Sequence, residues 1–348
     1  MAKTRPTLSS VAQRAGVSVS TASLAFSGAG PITPETRDRV LAAAAELGYH
    51  GPNPFGRQLR SGRSGIVGVV LGTNPGRAFS DPVAVQLLDG LVSSLGEAGL
   101  GVLLIPGLDG ESLLGSAAMD AAVMVWGVIS SDPSLEVLTR RHIPVVVGEG
   151  PKVPGAALVG LEDQAAMRDV ATHLVSLGHT KIAELTLPLH RTGETSGFVD
   201  ARRLALADRV AATHRLAGLR EVIEPVATWE AQTSTVASGR EGAHALLDLP
   251  DEQRPTAIVA QSDVLAAGVV LALRERGLVP GKDVSITGFD ALDLPWLTPD
   301  VLTTVSQPLR EKGALLGQAV LNLLDGGEPT EVYLPVELKL GTTTGPKL

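Results

Sequence analysis

From Gly65 onward the chain alternates short apolar runs with helix-length segments, and this rhythm restricts the fold more than any other feature. The runs are GIVGVVLG, GVLLIPG, AAVMVWGV, PVVVGEG, AALVGL, KIAELTL, EVIEPVA, TAIVAQS, VSITGFD and TTVSQP, with a final EVYLPVELKL. Between them the pattern predicts helices near 82–99, 111–119, 134–142, 164–177, through 219, 236–248, 264–276 and 309–325. Strands that are apolar throughout are buried on both faces, as happens where helices cover a parallel sheet. The runs are too many for one sheet, so two βα subdomains are expected.

The first fifty residues read differently. Leu8, Val11, Ala12 and Ala15 stand at helical spacing and Gly16 follows, which predicts a helix over about 8–14. Ser18 occupies the cap position of a second helix reaching about Phe26, and Thr33-Pro34-Glu35-Thr36 opens a third. Val40, Leu41, Ala44 and Leu47 form the expected buried stripe of that third helix, and Gly48 ends it. Two helices joined by a short Gly-containing turn, with a third in support, describe a helix-turn-helix. In AGVSVSTASLAF the second helix buries only Ala and Phe and turns Val19, Ser20, Ser23 and Leu24 outward. That face is small and uncharged, and we read it as a surface meant to touch DNA.

Charge supports the division. Residues 1–65 hold eight basic side chains against three acidic ones, a net of +5; the whole chain carries −8, so the rest carries −13. A basic head on an acidic body is the asymmetry of a polyanion-binding module attached to a larger domain. Between them GPNPFGRQLRSGRSG is a Pro- and Gly-punctuated linker, and its FGRQLR segment is too short to hold a helix alone. The expected domains are therefore 1–50 (helix-turn-helix), 51–64 (hinge) and 65–348 (ligand binding and dimerisation).

Several function classes drop out. Cysteine is absent, which removes disulfides, thiolate metal sites and cysteine nucleophiles. The chain has no G-x-G-x-x-G, H-E-x-x-H or G-x-S-x-G, and GLVPGKD lacks the glycine spacing and hydroxyl of a phosphate loop. The seven histidines show no metal-ligand spacing. No enzyme, cofactor or metal is expected. No secretory signal and no run of about 18 apolar residues is present, so a cytoplasmic protein without membrane contact is expected.

The stretch TLSSVAQRAGVSVSTASLAFSGAGPITPETRDRVLAAAAELGY, followed by PNPFGRQLRSGRSGIVGVV, resembles the amino terminus of LacI-family transcriptional regulators. That family reads TL-x-x-VA-x-x-AGVS-x-x-T-x-S, then S/T-x-x-TR-x-RV, LGY and PN-x-x-A-R-x-L. LVSLGHTKIAEL, RPTAIVAQSDVLAAGVVLALRERGLVPGKDVSITGFD and LTTVSQPLREKG resemble its effector domain, so nearly the whole chain is covered. The resemblance implies a small all-α helix-turn-helix domain followed by an α/β effector domain of two parallel-sheet, periplasmic-binding-protein-like subdomains. The first would comprise about 65–162 and 293–326, the second about 163–290 and 330–348. It also implies a homodimeric repressor on a pseudo-palindromic double-stranded operator, controlled by a small polar effector such as a sugar or nucleoside.

Residue by residue, the resemblance makes Ser18, Thr21 and Ser23 phosphate-binding hydroxyls, with Thr7, Thr33 and Thr36 in the same role. Val19 and Ser20 take the positions that face the major groove, and Leu24 stands where many members carry Arg. Leu59 matches the leucine that wedges into the minor groove, flanked by Asn53 and Arg57, while Gly56 replaces the usual Ala. In the body Asp290 and Arg215 match ligand anchors and Trp229 a stacking aromatic, with Gln261 and Asp263 beside the next strand end; Glu149 and Trp296 rank behind them. Other readings stay open: Asp263 serves equally as a helix cap, Val19 and Leu24 as ordinary exposed apolar residues, and Trp229 as core. A solute-binding protein of a transporter and a flavodoxin-like enzyme are the alternatives for the whole chain.

Overall fold

Local capping chemistry sets the three helices of the amino-terminal unit. Thr7 caps α1 (Leu8–Ala15), which Gly16 closes in the left-handed conformation at φ 67°. The Ser18 hydroxyl accepts the Thr21 amide at the start of α2 (Val19–Ser27). Thr33, followed by Pro34, opens α3 (Pro34–Leu47), and Gly48 closes it, again at φ 67°. Between them the helices bury Val11, Ala12, Ala15, Ala22, Ala25, Val40, Ala43 and Ala44, with the Phe26 and Tyr49 rings edge to face at 5.5 Å. Leu41 and Leu47, expected in the buried stripe, are instead 39% and 37% exposed. A core built on alanine brings the helices so close that Val40, Ala43 and Ala44 fill it and the two leucines stay outside.

The computed structural model describes residues 6–27, 30–51, 62–71, 75–106, 111–126, 128–190 and 195–347, and its two units are Met1–Gly65 and Ile66–Leu348. In the larger unit the apolar runs form two sheets. Strands β1 (Ile66–Leu71), β2 (Gly101–Pro106), β3 (Ala121–Val125), β4 (Val145–Gly148), β5 (Ala157–Leu161) and β12 (Glu331–Leu334) make the first, in the order β12-β5-β4-β3-β1-β2, parallel throughout. Strands β6 (Ile182–Thr186), β7 (Gly197–Phe198), β8 (Ala227–Glu230), β9 (Ala257–Ala260), β10 (Ser285–Asp290), β11 (Thr303–Ser306) and β13 (Glu337–Lys339) make the second. Its order is β13-β11-β10-β9-β6-β8-β7, with only the edge strands β13 and β7 antiparallel.

Helices α4 (Pro82–Glu97), α5 (Glu111–Ser116), α6 (Pro133–Arg140) and α12 (Leu309–Leu324) go with the first sheet. Helices α7 (Asp163–Ser176), α8 (Ala201–Leu206), α9 (Val210–Arg220), α10 (Val236–Leu247) and α11 (Asp263–Glu275) go with the second.

The chain therefore crosses between sheets at Glu162, at Gln307–Pro308 and at Pro335–Val336. The first crossing lies where the sequence placed it; the other two do not. Thr303–Ser306, assigned to the first subdomain, pairs in parallel with β10, with Thr287 opposite Thr303. EVYLPVELKL, read as one strand of the second subdomain, is two strands in different sheets. Pro335 cannot donate to a ladder, so pairing stops there and the halves find separate partners, β5 and β11. EVIEPVA is likewise displaced: the strand starts after Pro225, at Ala227.

Helices α4 and α12 pack backbone to backbone, because Gly90 and Gly313 leave no side chain between them. A Cβ on Gly313 would run into the Leu87 carbonyl, and one on Gly90 into that of Arg310. Around this contact Leu87, Leu91, Leu95, Leu316 and Val320 are buried. Gly313→Ala is expected to destabilise the protein by about 1–3 kcal/mol through overpacking. Gly96→Ala, whose Cβ meets nothing within 4 Å, is expected to be neutral or to stabilise by up to about 1 kcal/mol. Urea unfolding of both variants checks the contrast, and equal effects would show that the helices are free to move apart.

Candidate DNA-contact and effector sites

Hydroxyl groups gather at the amino termini of all three head helices. Thr7 Oγ1 accepts the Ser10 amide at 3.2 Å, while Ser10 Oγ accepts the Thr7 amide at 2.9 Å, a reciprocal capping box. Thr33 Oγ1 accepts the Thr36 amide at 3.3 Å and donates to Thr36 Oγ1 at 3.1 Å. Ser18 Oγ lies 2.7 Å from Ser20 Oγ and 2.8 Å from Thr21 Oγ1, besides capping α2. A helix amino terminus ringed by hydroxyls offers neutral donors and a partial positive charge, which is what a phosphate oxygen binds.

Val19 is 49% exposed and Ser20 is exposed, so both face outward. Ser23 and Leu24 are half-buried, and Leu24 lies against Gly30, where a Cβ would come within 3.0 Å of Leu24 Cδ2. Helix α2 carries no charged side chain. Asn53, Arg57 and Leu59 lie outside the described residues.

In the larger unit Arg215 and Asp290 are brought into one buried group. Arg215 Nε is 2.7 Å from Asp163 Oδ1, its Nη1 donates to the Gln261 carbonyl at 2.6 Å, and its guanidinium lies 3.5 Å above the centre of the Phe289 ring. Asp290 Oδ1 accepts from Gln307 Nε2 at 2.5 Å; Gln307 Oε1 accepts from Lys312 Nζ at 2.6 Å; and Lys312 pairs with Glu149 at 2.9 Å. Burial works against the Arg215 charge, yet the carboxylates of Asp163, Asp290 and Glu149 outweigh it and hold the guanidinium charged. Burial, then the neighbouring Asp263 carboxylate, push Asp290 well above the usual carboxylate range.

The remaining expected ligand residues have internal partners. Asp263 accepts the Leu292 amide at 2.7 Å and the Thr304 hydroxyl at 2.5 Å, which ties down the turn after β10; burial raises its pKa to about 6. Gln261 gives its amide protons to Glu184 Oε1 at 2.9 Å and to the Ala212 carbonyl at 3.2 Å, so it supports α9 and, through its own carbonyl, Arg215. Trp229 packs edge to face with Phe198 at 4.9 Å and against Gly242 of α10, with Nε1 buried and unpartnered. It is not part of the hydrogen-bonded group around Arg215.

Backbone strain marks the same place. Trp126, Glu149, Asp290 and Ala291 have φ of 58°, 52°, 125° and 55°, and they stand at or just past the carboxyl ends of β3, β4 and β10. Non-glycine residues hold such angles only where the surroundings impose them, and parallel sheets place ligands at these ends.

Residues 7–53 match the profile of the bacterial regulatory proteins, lacI family, and residues 171–344 that of the periplasmic binding protein-like domain. The HTH-type transcriptional regulator Rv3575c of Mycobacterium tuberculosis is 36% identical over 355 residues, covering 98% of each chain. The chain belongs to the lacI family of bacterial regulatory proteins. IpsA of Corynebacterium glutamicum, also an HTH-type transcriptional regulator, is 32% identical over 358 residues and 98% of each chain.

Among solved structures, the lac repressor dimer bound to operator and the anti-inducer ONPF superposes with a TM-score of 0.79 at 26% identity, over 98% of this chain and 100% of that one. The CelR–cellobiose complex gives 0.68 at 25% identity, over 97% and 100%. This LacI-family protein is thus a DNA-binding transcriptional regulator. The solute-binding alternative is not favoured, because end-to-end relatives are regulators; they are not enzymes. Among the described residues no helix is long and apolar enough to cross a membrane.

Sequence reading missed Asp163, Gln307, Lys312 and Trp126, and ranked Glu149 low. Lys312 left a signal, since it falls on the stripe shared by Leu309 and Leu316. The others needed the strand ends to be brought together.

Glu184 supplies a test of the interior behind Arg215. It is fully buried, Oε2 has no hydrogen-bond partner, and burial pushes its pKa from 4.5 to about 7. Below about pH 4.5 folded and unfolded chains both hold the proton. Between there and pH 7 only the folded chain does, so stability falls as pH rises, by on the order of 3 kcal/mol in full. Glu184→Gln is expected to flatten this slope and to exceed the wild type in stability at pH 8. Urea midpoints at pH 5 and pH 8 check it, and parallel profiles would refute it.

Proposed function

We propose that this regulator is a cytoplasmic repressor that binds a pseudo-palindromic operator as a homodimer and is controlled by a small polar effector, a sugar or nucleoside. The observation that carries the DNA half is the uncharged outward pair Val19 and Ser20, framed by hydroxyl-ringed helix amino termini on a head of net charge +5. The hydroxyls of Thr7, Ser18, Thr21, Ser23, Thr33 and Thr36 would hold phosphates and fix register, while Val19 and Ser20 read base edges through methyl contact and a single hydroxyl. One head reads one half-site, so a two-fold partner is required. Asn53, Arg57 and Leu59 would form the hinge contact in the minor groove.

The effector half rests on Arg215 and Asp290, a buried cation and an acceptor at the end of β10, beside the place where the chain changes subdomain. The CelR–cellobiose complex supports a sugar, and the operator-bound lac repressor dimer supports the assembly. Effector and operator would then bias one open–closed equilibrium, each weakening or strengthening the other by the same factor.

Selection from randomised duplexes at physiological salt, followed by sequencing, is expected to enrich a palindrome with two half-sites. Binding without an enriched sequence would refute the reading. On the selected duplex Leu59→Ala is expected to weaken binding by about tenfold or more, and Ser18→Ala to weaken all sequences alike. A panel of glucose, cellobiose, ribose, myo-inositol and adenosine, added to the complex, tests the effector class.

A further inference from the structure

Lys312 is fully buried on α12, a helix that otherwise turns Leu309, Gly313, Leu316 and Val320 inward. A lysine in such a place costs several kcal/mol unless it is paired and hydrogen-bonded. Both conditions are met by residues that belong to different parts of the fold. Glu149, 2.9 Å away, directly follows β4 of the first sheet, and Gln307, 2.6 Å away, lies in the crossing between β11 and α12.

An ammonium group has donors and no acceptor. Lys312 therefore requires the oxygen of the Gln307 carboxamide, which leaves the nitrogen for Asp290, where it donates to Oδ1 at 2.5 Å. The relay from Glu149 through Lys312 and Gln307 to Asp290 has a single polarity and runs from the carboxyl end of one sheet to that of the other. Asp290 is also faced by Arg215 from α9 and Asp263 from α11. Glu149 is also faced by Arg215, which with Lys312 keeps its carboxyl below the ordinary value in spite of burial.

We propose that Lys312 is a positioning residue for the effector site: it fixes the orientation of Gln307 and through that amide holds Asp290 as an acceptor, so that Asp290 selects a hydroxyl or N–H donor on the effector and refuses an anion. This rests on the reading that Asp290 meets the effector. Glu149 is the counter-ion that makes the burial of the lysine tolerable. Without the ammonium the carboxamide is free to turn over and set its oxygen against Asp290, an arrangement that is stable only when Asp290 carries a proton. The polarity of the site would then reverse.

The test follows the Asp290 carboxyl directly, by carbon NMR of the full-length protein labelled at aspartate, with Asp290→Asn assigning the resonance. Lys312→Met is expected to raise the Asp290 titration midpoint by about one pH unit or more. Glu149→Gln, which leaves the ammonium without its counter-charge, is expected to lower it. Because the chain has no cysteine, Lys312→Cys can be aminoethylated while unfolded and refolded, which restores an ammonium at this position alone and should return the midpoint.

A lysine that only fills space would let Lys312→Met lose stability while the Asp290 midpoint stays in place, and that result overturns the proposal. Shifts of the same sign in the Met and Gln variants overturn it as well. No effector or operator enters the measurement, so a failed operator selection leaves this result standing, and an unmoved Asp290 counts against Lys312 even in a protein shown to respond to a sugar.

Discussion

Five charged side chains share one buried space between the two sheets: Glu149, Asp163 and Asp290 against Arg215 and Lys312. Each alone would be costly there, and each is held by partners from elsewhere in the chain. Carboxylates outnumber cations here: burial and the Asp263 carboxylate push Asp290 upward, while Arg215, the Gln307 amide and Lys312 oppose them. This is also where the backbone is strained, at Glu149, Asp290 and Ala291. The turn after Asp290 persists because Asp263 accepts the Leu292 amide and the Thr304 hydroxyl. Packing, strain and charge are thus settled together at the strand ends.

The head solves a different problem with the same economy. Its helices need their first amides satisfied, and Thr7, Ser18 and Thr33 do this with hydroxyl oxygens. A hydroxyl that accepts a backbone amide keeps its own proton, and where Thr33 passes it to the Thr36 hydroxyl that group in turn has one to give, so hydroxyl clusters present donors at positive helix termini. Affinity for a polyanion can then come from capping chemistry and the basic excess of the head. Helix α2 needs no charge of its own, and its bland face in VSVSTASLAF is free for base edges.

Helices and strands of the larger unit were largely legible, because amphipathic spacing and cap residues are local. The three head helices begin and end at the residues whose chemistry requires it: Thr7 and Gly16, Ser18, Thr33 and Gly48. Sheet membership was not legible. Nothing local in TTVSQP says which sheet it will join, since a parallel strand is apolar whatever its neighbour, and β11 is placed by its pairing with β10. Pro335 carried usable information about a break, but not about where each half would go. For the site, Asp290 and Arg215 came with the family pattern. Their partners Asp163, Gln307 and Lys312 are far apart in sequence and polar for reasons that only the assembled boundary supplies. Trp229 shows the converse, an aromatic whose surroundings are core and not the charged group.

The charged group also lies at the connections between the sheets. Asp163 opens α7 directly after the first crossing, and Gln307 lies within the second. A change in angle between the subdomains would be taken up at the three crossings, and at these two it would move Asp163 relative to Glu149, or Gln307 relative to Asp290. Conversely, any molecule that takes over a hydrogen bond of Arg215 or Asp290 changes what those crossings are tied to. Coupling between a bound effector and the arrangement of the subdomains then needs no long pathway. The residues that would recognise the effector already hold the chain where it passes from one sheet to the other, and the energy available for coupling is bounded by how differently the two arrangements satisfy these few buried charges.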